Sequence, residues 1–211
     1  MVSDTDAARA WAPLNPSSSR IKYLAPTSHV AERLALYGVR KENIIFTGYP
    51  LPMENIGENS ETIKKDLRDR ILNLDPAGNY RKRYGPLIKE CLGDLPEKST
   101  RPLTILFAIG GAGAQKGLAR AILKGLRESI KAGRIKIFLA AGIRGEVNDF
   151  LLESIVNLDL QKFLGKNLEI IFSRDLFDFF RQFSEALRKT DILWTKPSEL
   201  SFYTALGLPI I

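Results

Sequence analysis

The pattern of apolar and polar positions is most regular in the second half of the chain, where short apolar runs alternate with amphipathic segments. The first run, Leu103 to Ile109, is almost continuously apolar and lies between Pro102 and Gly110, which is typical of a central parallel strand covered on both faces. The elements predicted after it are a helix over 117–131, a strand over 135–142, a helix over 146–156, a strand over 167–172, a helix over 176–188, a strand over 191–194, a helix over 198–206 and the start of a strand over 208–211. This alternation predicts an α/β fold with a Rossmann-like parallel sheet and right-handed crossovers.

The first half of the chain has shorter and less regular patterns. Its predicted elements are strands over 2–13 and 20–26, a helix over 28–37, a strand over 43–47, and helical segments around 63–72 and 87–92. The helix over 28–37 has Thr27 or Ser28 in a capping position and Gly38 at its end. The proline-rich stretch Gly48 to Pro52 predicts a hinge or linker, and residues 53–101 are mainly polar and charged.

Composition and charge narrow the classes of protein to which the chain can belong. Its 211 residues are 45% hydrophobic, as in an ordinary globular protein with a substantial core. The formal charge of +7 favours anionic partners such as nucleotides, nucleic acid or an acidic membrane surface. No apolar run reaches the roughly 18 residues of a membrane span, and the N-terminus has no signal-peptide pattern. We therefore expect a cytoplasmic protein.

Cysteine and histidine occur once each, which limits the chemistry they can provide. A single cysteine excludes a disulfide within the chain. Because Cys91 lies beside Leu92 in an apolar helical pattern, it is predicted to be buried and inert rather than nucleophilic. His29 falls in the first turn of the helix over 28–37 and is predicted to be solvated or capping. One histidine argues against a histidine-rich metal site and against a Ser/His/Asp triad, and no zinc-type spacing occurs.

Glycines follow the first strand of the second half. Gly110, Gly111 and Gly113 allow a sharp turn that leaves free backbone N–H groups at the start of the helix over 117–131. Such N–H groups, together with the positive end of the helix dipole, attract anions, and a nucleotide diphosphate is the natural ligand. A purely structural strand-to-helix turn is the alternative. The spacing is not the dinucleotide fingerprint G-x-G-x-x-G.

The strand order of a doubly wound sheet gives the glycine turn a predicted neighbour. In the order 3-2-1-4-5, counted from Leu103, the first and fourth strands are adjacent, and ligands bind at their carboxyl ends. We therefore expect residues 110–115 to lie across a crevice from residues 195–201, the segment that follows the fourth strand.

The residue types of this second segment suit a nucleotide. Lys196 provides a charge for phosphate, the hydroxyls of Thr195, Ser198 and Ser201 provide donors, and Glu199 can accept hydrogen bonds from ribose. The alternative is a capped helix start with Ser198 as the N-cap, which explains Glu199 as well. That alternative leaves Lys196 unexplained, because a cation is disfavoured at a helix N-terminus.

A basic run with aromatic neighbours lies in the polar stretch. Arg81, Lys82 and Arg83 are flanked by Tyr80 and Tyr84, and such a stretch can bind nucleic acid or lipid headgroups. A solvated helix face is the favoured interpretation. Since no recognition helix can be identified, no nucleic-acid partner is expected.

Several of these motifs together resemble a known enzyme family. The stretches GGAGAQ (110–115), TGYP (47–50) and DILWTKPSEL with ALGLPII (191–211) resemble the GT-B glycosyltransferases, in particular the peptidoglycan N-acetylglucosaminyltransferase and the monogalactosyldiacylglycerol synthases. VSDTDAARAW and YLAPTSHVAERLALYGV are similar to the last part of that family's N-terminal domain. The resemblance spans nearly the whole chain.

The resemblance implies a partial GT-B architecture. Residues 1–50 would end the N-terminal, acceptor-binding domain, 51–101 would form a linker with helices, and 102–211 would form a nucleotide-sugar-binding domain truncated at its C-terminus. The ligand would be a nucleotide sugar, usually a UDP-sugar, with no obligatory metal. The candidate donor-binding residues are Gly110, Gly111, Ala112, Gly113, Gln115, Thr195, Lys196, Ser198 and Glu199.

The sequence departs from the family pattern at two of these places. Ala112 stands where the family has a serine in the glycine turn, and an ungapped match places Phe202 where the family has its ribose-binding acid. Glu199 would take over the role of that acid, or the ribose would be held differently.

The expected activity is that of the donor-binding part of a glycosyltransferase. The acceptor would be lipid-linked or otherwise bound to a membrane, with the protein cytoplasmic or peripheral to that membrane. The catalytic base is expected from an absent N-terminal part, so this chain should be an inactive internal piece of a longer transferase. Two alternatives stay open: a nucleotide-sugar epimerase of the same fold, and a non-catalytic nucleotide- or partner-binding half of a two-subunit transferase.

Overall fold

The computed structural model describes residues 6–109, 116–195 and 200–211. They divide into two compact units. The first comprises Met1–Pro52 and Glu199–Ala205, and the second comprises Met53–Ser198 and Leu206–Ile211.

Within residues 6–52, the first unit contains a parallel strand pair with one connecting α-helix. Strand β1 (Tyr23–Ala25) pairs with β2 (Ile44–Phe46), and helix α1 (Ser28–Leu36) connects them. Thr27 caps α1, since its Oγ1 accepts a hydrogen bond from the N–H of Val30 at 3.2 Å. Val30 and Leu34, one turn apart, are fully buried. The predicted helix, its cap and both of these strands are confirmed.

The strand predicted over residues 2–13 is wrong for its described part. Arg9–Trp11 is a 3₁₀ turn instead. Two tyrosine hydroxyls hold this segment, because Tyr23 donates to the carbonyl of Trp11 at 2.7 Å and Tyr37 donates to that of Ala7 at 2.9 Å. These two carbonyls are therefore hydrogen-bonded without a sheet partner.

The rest of the chain alternates helices and strands. Its helices are α2 (Met53–Ile56), α3 (Glu61–Leu74), α4 (Asn79–Leu92), α5 (Lys116–Lys131), α6 (Gly145–Asn157), α7 (Leu176–Lys189) and α8 (Leu200–Ala205). Its strands are β3 (Leu103–Ala108), β4 (Ile135–Gly142), β5 (Leu168–Phe172) and β6 (Ile192–Thr195). These four strands form one parallel sheet in the order β5-β4-β3-β6. The predicted α/β class and strand order are confirmed.

The chain returns to the sheet after α8. The N–H of Ile211 donates to the carbonyl of Leu193 at 2.9 Å, and the N–H of Leu193 donates to that of Pro209 at 2.9 Å. The last residues therefore begin a fifth parallel strand beside β6, as the sequence predicts.

Both faces of the sheet are buried. Phe107, Ile137 and Leu139 pack with Leu123 of α5 and Ile155 of α6 in one hydrophobic core. The alternate residues of β3 and β4, among them Leu106 and Phe138, are also buried. Burial on both faces explains why β3 is an apolar run rather than an alternating pattern.

The environment of Cys91 contradicts the sequence prediction. Cys91 lies on α4, but its side chain is exposed. The buried residues of α4 are Ile88 and Leu92, which are four apart and share one face. Cys91 lies outside that face. Its side chain therefore does not reach the core, although Leu92, the next residue in sequence, does.

No helix within the described residues is long and apolar enough to span a bilayer.

Candidate functional site

The sequence predicts the ligand site at the carboxyl edge of the sheet. In the register of β3 and β6, the Cα atom of Ala108 is paired with that of Thr195. Strands β3 and β6 therefore end side by side. In sequence, the predicted segment 110–115 begins two residues after Ala108, and the predicted segment 195–201 begins at Thr195 itself.

The strand connections reverse at this point. The chain passes from β3 to β4 to β5 in one direction and then returns to the other side of β3 to form β6. Such a switch point opens a crevice between the two strand ends, because the crossovers on either side run to opposite faces of the sheet. The sheet therefore has the switch point on which the predicted ligand site depends, and the site itself, beyond Ala108 and Thr195, stays a prediction.

Thr195 is the candidate residue within the described part of the chain, at the last position of β6. Its strand neighbour Trp194 contacts Phe107 of β3 edge to face, with ring centroids 6.1 Å apart. This contact fixes the two strand ends against each other. The other candidates, Gly110, Gly111, Ala112, Gly113, Gln115, Lys196, Ser198 and Glu199, lie outside the described residues.

Two cations begin the helix that follows the glycine stretch. Lys116 is the first residue of α5, and its Nζ lies 5.5 Å from the ring centroid of Phe150. The guanidinium of Arg120 lies 4.7 Å from the same centroid, and its Nε donates to Ser154 Oγ at 3.1 Å. Neither residue is among the candidates predicted from the sequence, although their spacing of four places both on one face of a helix.

The loop after β5 reaches the same edge of the sheet and is ordered by its own side chains. Asp175 caps α7 by accepting a hydrogen bond from the N–H of Asp178 at 2.8 Å. Hydrogen bonds from Arg181, Ser173 and Gln182 lower the pKa of Asp178. These carboxylates are thus occupied within the loop and the first turns of α7.

A polar cluster of higher burial lies at the opposite, amino edge of the sheet. Asp191 has no exposed surface, and Arg101 binds it through two hydrogen bonds of 2.7 and 2.6 Å. Asn73 Nδ2 of α3 and the N–H of Thr104 also donate to it, at 2.7 and 2.9 Å. Because every donor comes from the protein itself, we assign Asp191 a structural role.

A second polar cluster joins α2, α3 and α7 beside a small cavity. Asn55, Asp66, Arg70 and Arg188 contribute to its lining, and Arg188 Nε donates to Asp66 Oδ2 at 3.2 Å. Burial raises the pKa of Asp66 above the ordinary value for an aspartate, although Arg188 and Arg70 act in the opposite direction.

The raised pKa of Asp66 predicts how the stability of the protein depends on pH. A carboxyl group with a raised pKa in the folded state favours folding while protonated, so its contribution is lost as pH rises from about 4 through the raised pKa. The asparagine in the Asp66→Asn variant does not titrate, so the variant does not lose stability in this way as the pH rises. The free energy of unfolding of Asp66→Asn, relative to wild type, should therefore increase between about pH 4 and pH 7 in urea titrations. A wild type that gains stability over the variant with rising pH would show that the ion pair with Arg188 dominates instead.

Within residues 6–109, 116–195 and 200–211, no group of three or more histidine, cysteine, aspartate or glutamate side chains is placed to hold a metal ion.

Comparison with known proteins identifies a family. Residues 96–209 match the model of a domain of unknown function, DUF6938, and this match covers more than half of the chain. The chain belongs to the DUF6938 family. The matched range contains all four strands of the β5-β4-β3-β6 sheet.

Other comparisons are less informative. No curated protein matches the chain. Among solved structures, the chain is similar to the UDP-GlcNAc 2-epimerase from Neisseria meningitidis bound to UDP-GlcNAc, with 14% sequence identity and a TM-score of 0.47. The similarity covers 90% of this chain but 42% of that protein, so the chain spans about two fifths of its length.

Proposed function

We propose that this DUF6938 chain binds a nucleotide sugar, with a UDP-sugar favoured, as the donor-binding part of a glycosyltransferase. The observation that supports the proposal most strongly is the pairing of β3 with β6 at the switch point of the sheet. It brings the ends of β3 and β6 side by side, and in sequence these strands lead into the glycine stretch and the TKPSEL segment, as a shared ligand would require.

Each segment would bind a different part of the donor. Backbone N–H groups of Gly110, Gly111 and Ala112 would bind the diphosphate, with Gly113 and Gln115 completing the turn. Thr195, Lys196 and Ser198 would add donors to phosphate, and Glu199 would accept from the ribose hydroxyls. Lys116, the first residue of α5 and the next in sequence after the turn, would add to the positive potential at the phosphates.

The domain assignment follows from the same proposal. Residues 102–211 would form the donor domain, 51–101 the connection and 1–50 the end of an acceptor domain. Transfer would also require an acceptor site and a catalytic base, for which the described residues offer no clear candidate. We therefore propose that this chain alone binds the donor and does not transfer the sugar to a lipid-linked acceptor.

Titration calorimetry with UDP, GDP and ADP, without and then with magnesium, tests the proposal. We expect saturable binding that is selective for UDP, and we expect Lys196→Ala and Gly111→Val to weaken it by about tenfold or more, since each removes a phosphate contact worth about 1.5–3 kcal/mol.

Matched controls separate the site from general charge and packing effects. Lys124→Ala removes a cation from the exposed side of α5, and Gly125→Ala adds a methyl group where nothing lies within 4 Å. Both should bind UDP as the wild type does. Equal binding of all three nucleotides, or equal loss in Lys124→Ala and Lys196→Ala, would contradict the proposed site.

A further inference from the structure

An exposed apolar stripe follows one side of helix α4. Its members are Tyr80, Tyr84, Leu87 and Cys91, which recur at intervals of four, three and four residues. The side chains of all four are exposed. The rings of the two tyrosines are in contact, since their centroids lie 4.7 Å apart. We call these four residues the α4 stripe.

The spacing of the α4 stripe is the one with which helices pack against each other. Apolar residues that recur every 3.5 residues on average stay on one side of a helix and form the seam of a two-helix contact. Tyr84 departs from helical backbone angles, with φ of −115° and ψ of 16°. Because the sum of these angles is close to that of an ordinary helical residue, the rotation from one residue to the next is nearly unchanged. The stripe therefore continues across Tyr84.

The side of α4 that packs on its own chain lies on one flank of the stripe. Ile88 and Leu92 are buried, and Arg81 Nε lies 3.2 Å from Asp75 Oδ2. On an ideal helix, positions 81, 88 and 92 lie about 80–120° from position 80. The α4 stripe and its other flank, which we call the outer flank, therefore face away from the packed side.

The outer flank carries charges of opposite sign at its two ends. Arg83 and Glu90 are both exposed, and both lie about 60–80° from position 80 on the side away from the packed flank. When two identical helices pair antiparallel, the same flank of each helix meets. Arg83 of one copy then lies beside Glu90 of the other, as charged residues beside a helix–helix seam do. The outer flank is thus complementary in charge to a second copy of itself.

The helix dipole gives a further reason for an antiparallel partner. Residues 79–83 include three cations, Arg81, Lys82 and Arg83, and no acid, which is unfavourable at the positive end of a helix. An antiparallel copy brings its negative end, with Glu90, next to these cations. In a parallel pair like ends would meet, and Arg83 would face the packed flank of the other helix, where Ile88 is buried.

We propose that the α4 stripe binds a second copy of this chain, with the two α4 helices antiparallel across a two-fold axis. The axis would pass midway between Tyr84 and Leu87, so that Tyr80 of one copy lies opposite Cys91 of the other. Every contact then occurs twice. Two helices of 14 residues make a small interface, so the dimer forms and dissociates with protein concentration. The proposal does not depend on nucleotide binding.

Sedimentation velocity of the full chain at several concentrations tests the contact. We expect the wild type to shift from monomer to dimer as the concentration rises. Leu87→Arg should raise the dissociation constant of the dimer by about tenfold or more, since it places two charges in the apolar seam. Val156→Arg on α6 is the matched control, because Val156 is 52% exposed and Leu87 53%. It should leave the constant within about twofold.

Exchange of the charges on the outer flank provides a rescue. Arg83→Glu and Glu90→Arg should each weaken the dimer, because each places like charges beside each other across the interface. The double variant Arg83→Glu/Glu90→Arg should associate as the wild type does. Lys82→Glu changes the net charge as Arg83→Glu does, but position 82 is on the opposite side of the helix from the stripe. Its association should be unchanged.

Disulfide formation reports the orientation, because Cys91 is the single cysteine of the chain. Under a mild oxidant such as diamide, Tyr80→Cys should form covalent dimers linked between positions 80 and 91, which mass spectrometry identifies. Within one chain these positions are about 16 Å apart along the helix, which is too far for a disulfide. The wild type and the control Lys82→Cys should stay uncrosslinked.

Each of the following results would overturn the proposal. A wild type that is monomeric at every concentration, or a dimer that Leu87→Arg leaves intact, would exclude the α4 stripe as the interface. Disulfides between the Cys91 residues of two wild-type copies would show a parallel pair. A monomer that cosediments with phosphatidylserine vesicles would assign the surface to an anionic membrane. If Leu87→Arg does not fold, the Arg83 and Glu90 variants decide by the same criteria.

Discussion

Replacement of Asp191 by alanine is expected to lower the free energy of unfolding by about 3–5 kcal/mol. The carboxylate has no exposed surface and accepts hydrogen bonds from Arg101, Asn73 and the N–H of Thr104. Its removal leaves the largely buried Arg101 without its counterion and the two other donors without an acceptor. The penalty for those unpaired groups, rather than the attraction within the pair, makes the effect large.

Urea unfolding of Asp191→Ala and of Asp94→Ala provides the measurement. Asp94 also pairs with a cation, Lys89, at 3.0 Å, but both side chains are largely exposed. The Asp94 variant should therefore change stability by about 0–1 kcal/mol. Similar losses in the two variants would mean that burial does not decide the strength of the Asp191 cluster.

Replacement of Gly57 by alanine is expected to lower the free energy of unfolding by roughly 2–4 kcal/mol. Gly57 has φ of +74°, and a Cβ atom there would lie 2.8 Å from the backbone nitrogen of Thr62. An L-residue disfavours this conformation, and a backbone atom at the start of α3 cannot move aside as a flexible side chain can. The chain would have to change its direction between α2 and α3.

The matched control for Gly57→Ala is Gly125→Ala in the middle of α5. Gly125 has open space around its Cα atom and lies within a helix, so alanine there should stabilise the protein by about 0.5–1 kcal/mol through helix propensity. Opposite signs for the two substitutions are the expected result of thermal or urea unfolding. A neutral Gly57→Ala would show that the turn between α2 and α3 adapts without cost.

Both predictions concern residues that precede or contact helix α3. Gly57 directs the chain into α3, whose Asn73 donates to Asp191 and whose Arg70 donates to the carbonyls of Thr190 and Leu206. Residues 53–101 are mainly polar and charged in sequence, yet Asp66, Arg70 and Leu72 of α3 are buried. The helix thus links a polar stretch of sequence to the strand that precedes the candidate site.

The sequence by itself determined the β3, β4, β5 and β6 strands and the helices between them. Each is encoded in a local pattern: the apolar runs of a strand buried on both faces, and the 3.6-residue periodicity of an amphipathic helix. The strand order follows from chain connectivity, because right-handed crossovers and short connections allow few arrangements. That order was sufficient to predict that the ends of β3 and β6 are neighbours.

Only the tertiary structure decided the exposure of Cys91 and the polar contacts of Arg70 and Asp191. Cys91 occurs in an apolar pattern, but which helical face is buried depends on what packs against it. Arg70 and Leu206 are 136 residues apart, and Arg101 and Asp191 are 90 apart. Nothing in a local pattern distinguishes these buried arginines from the solvated Arg181 of α7, because burial of a charge becomes favourable only when distant carbonyls and carboxylates converge on it.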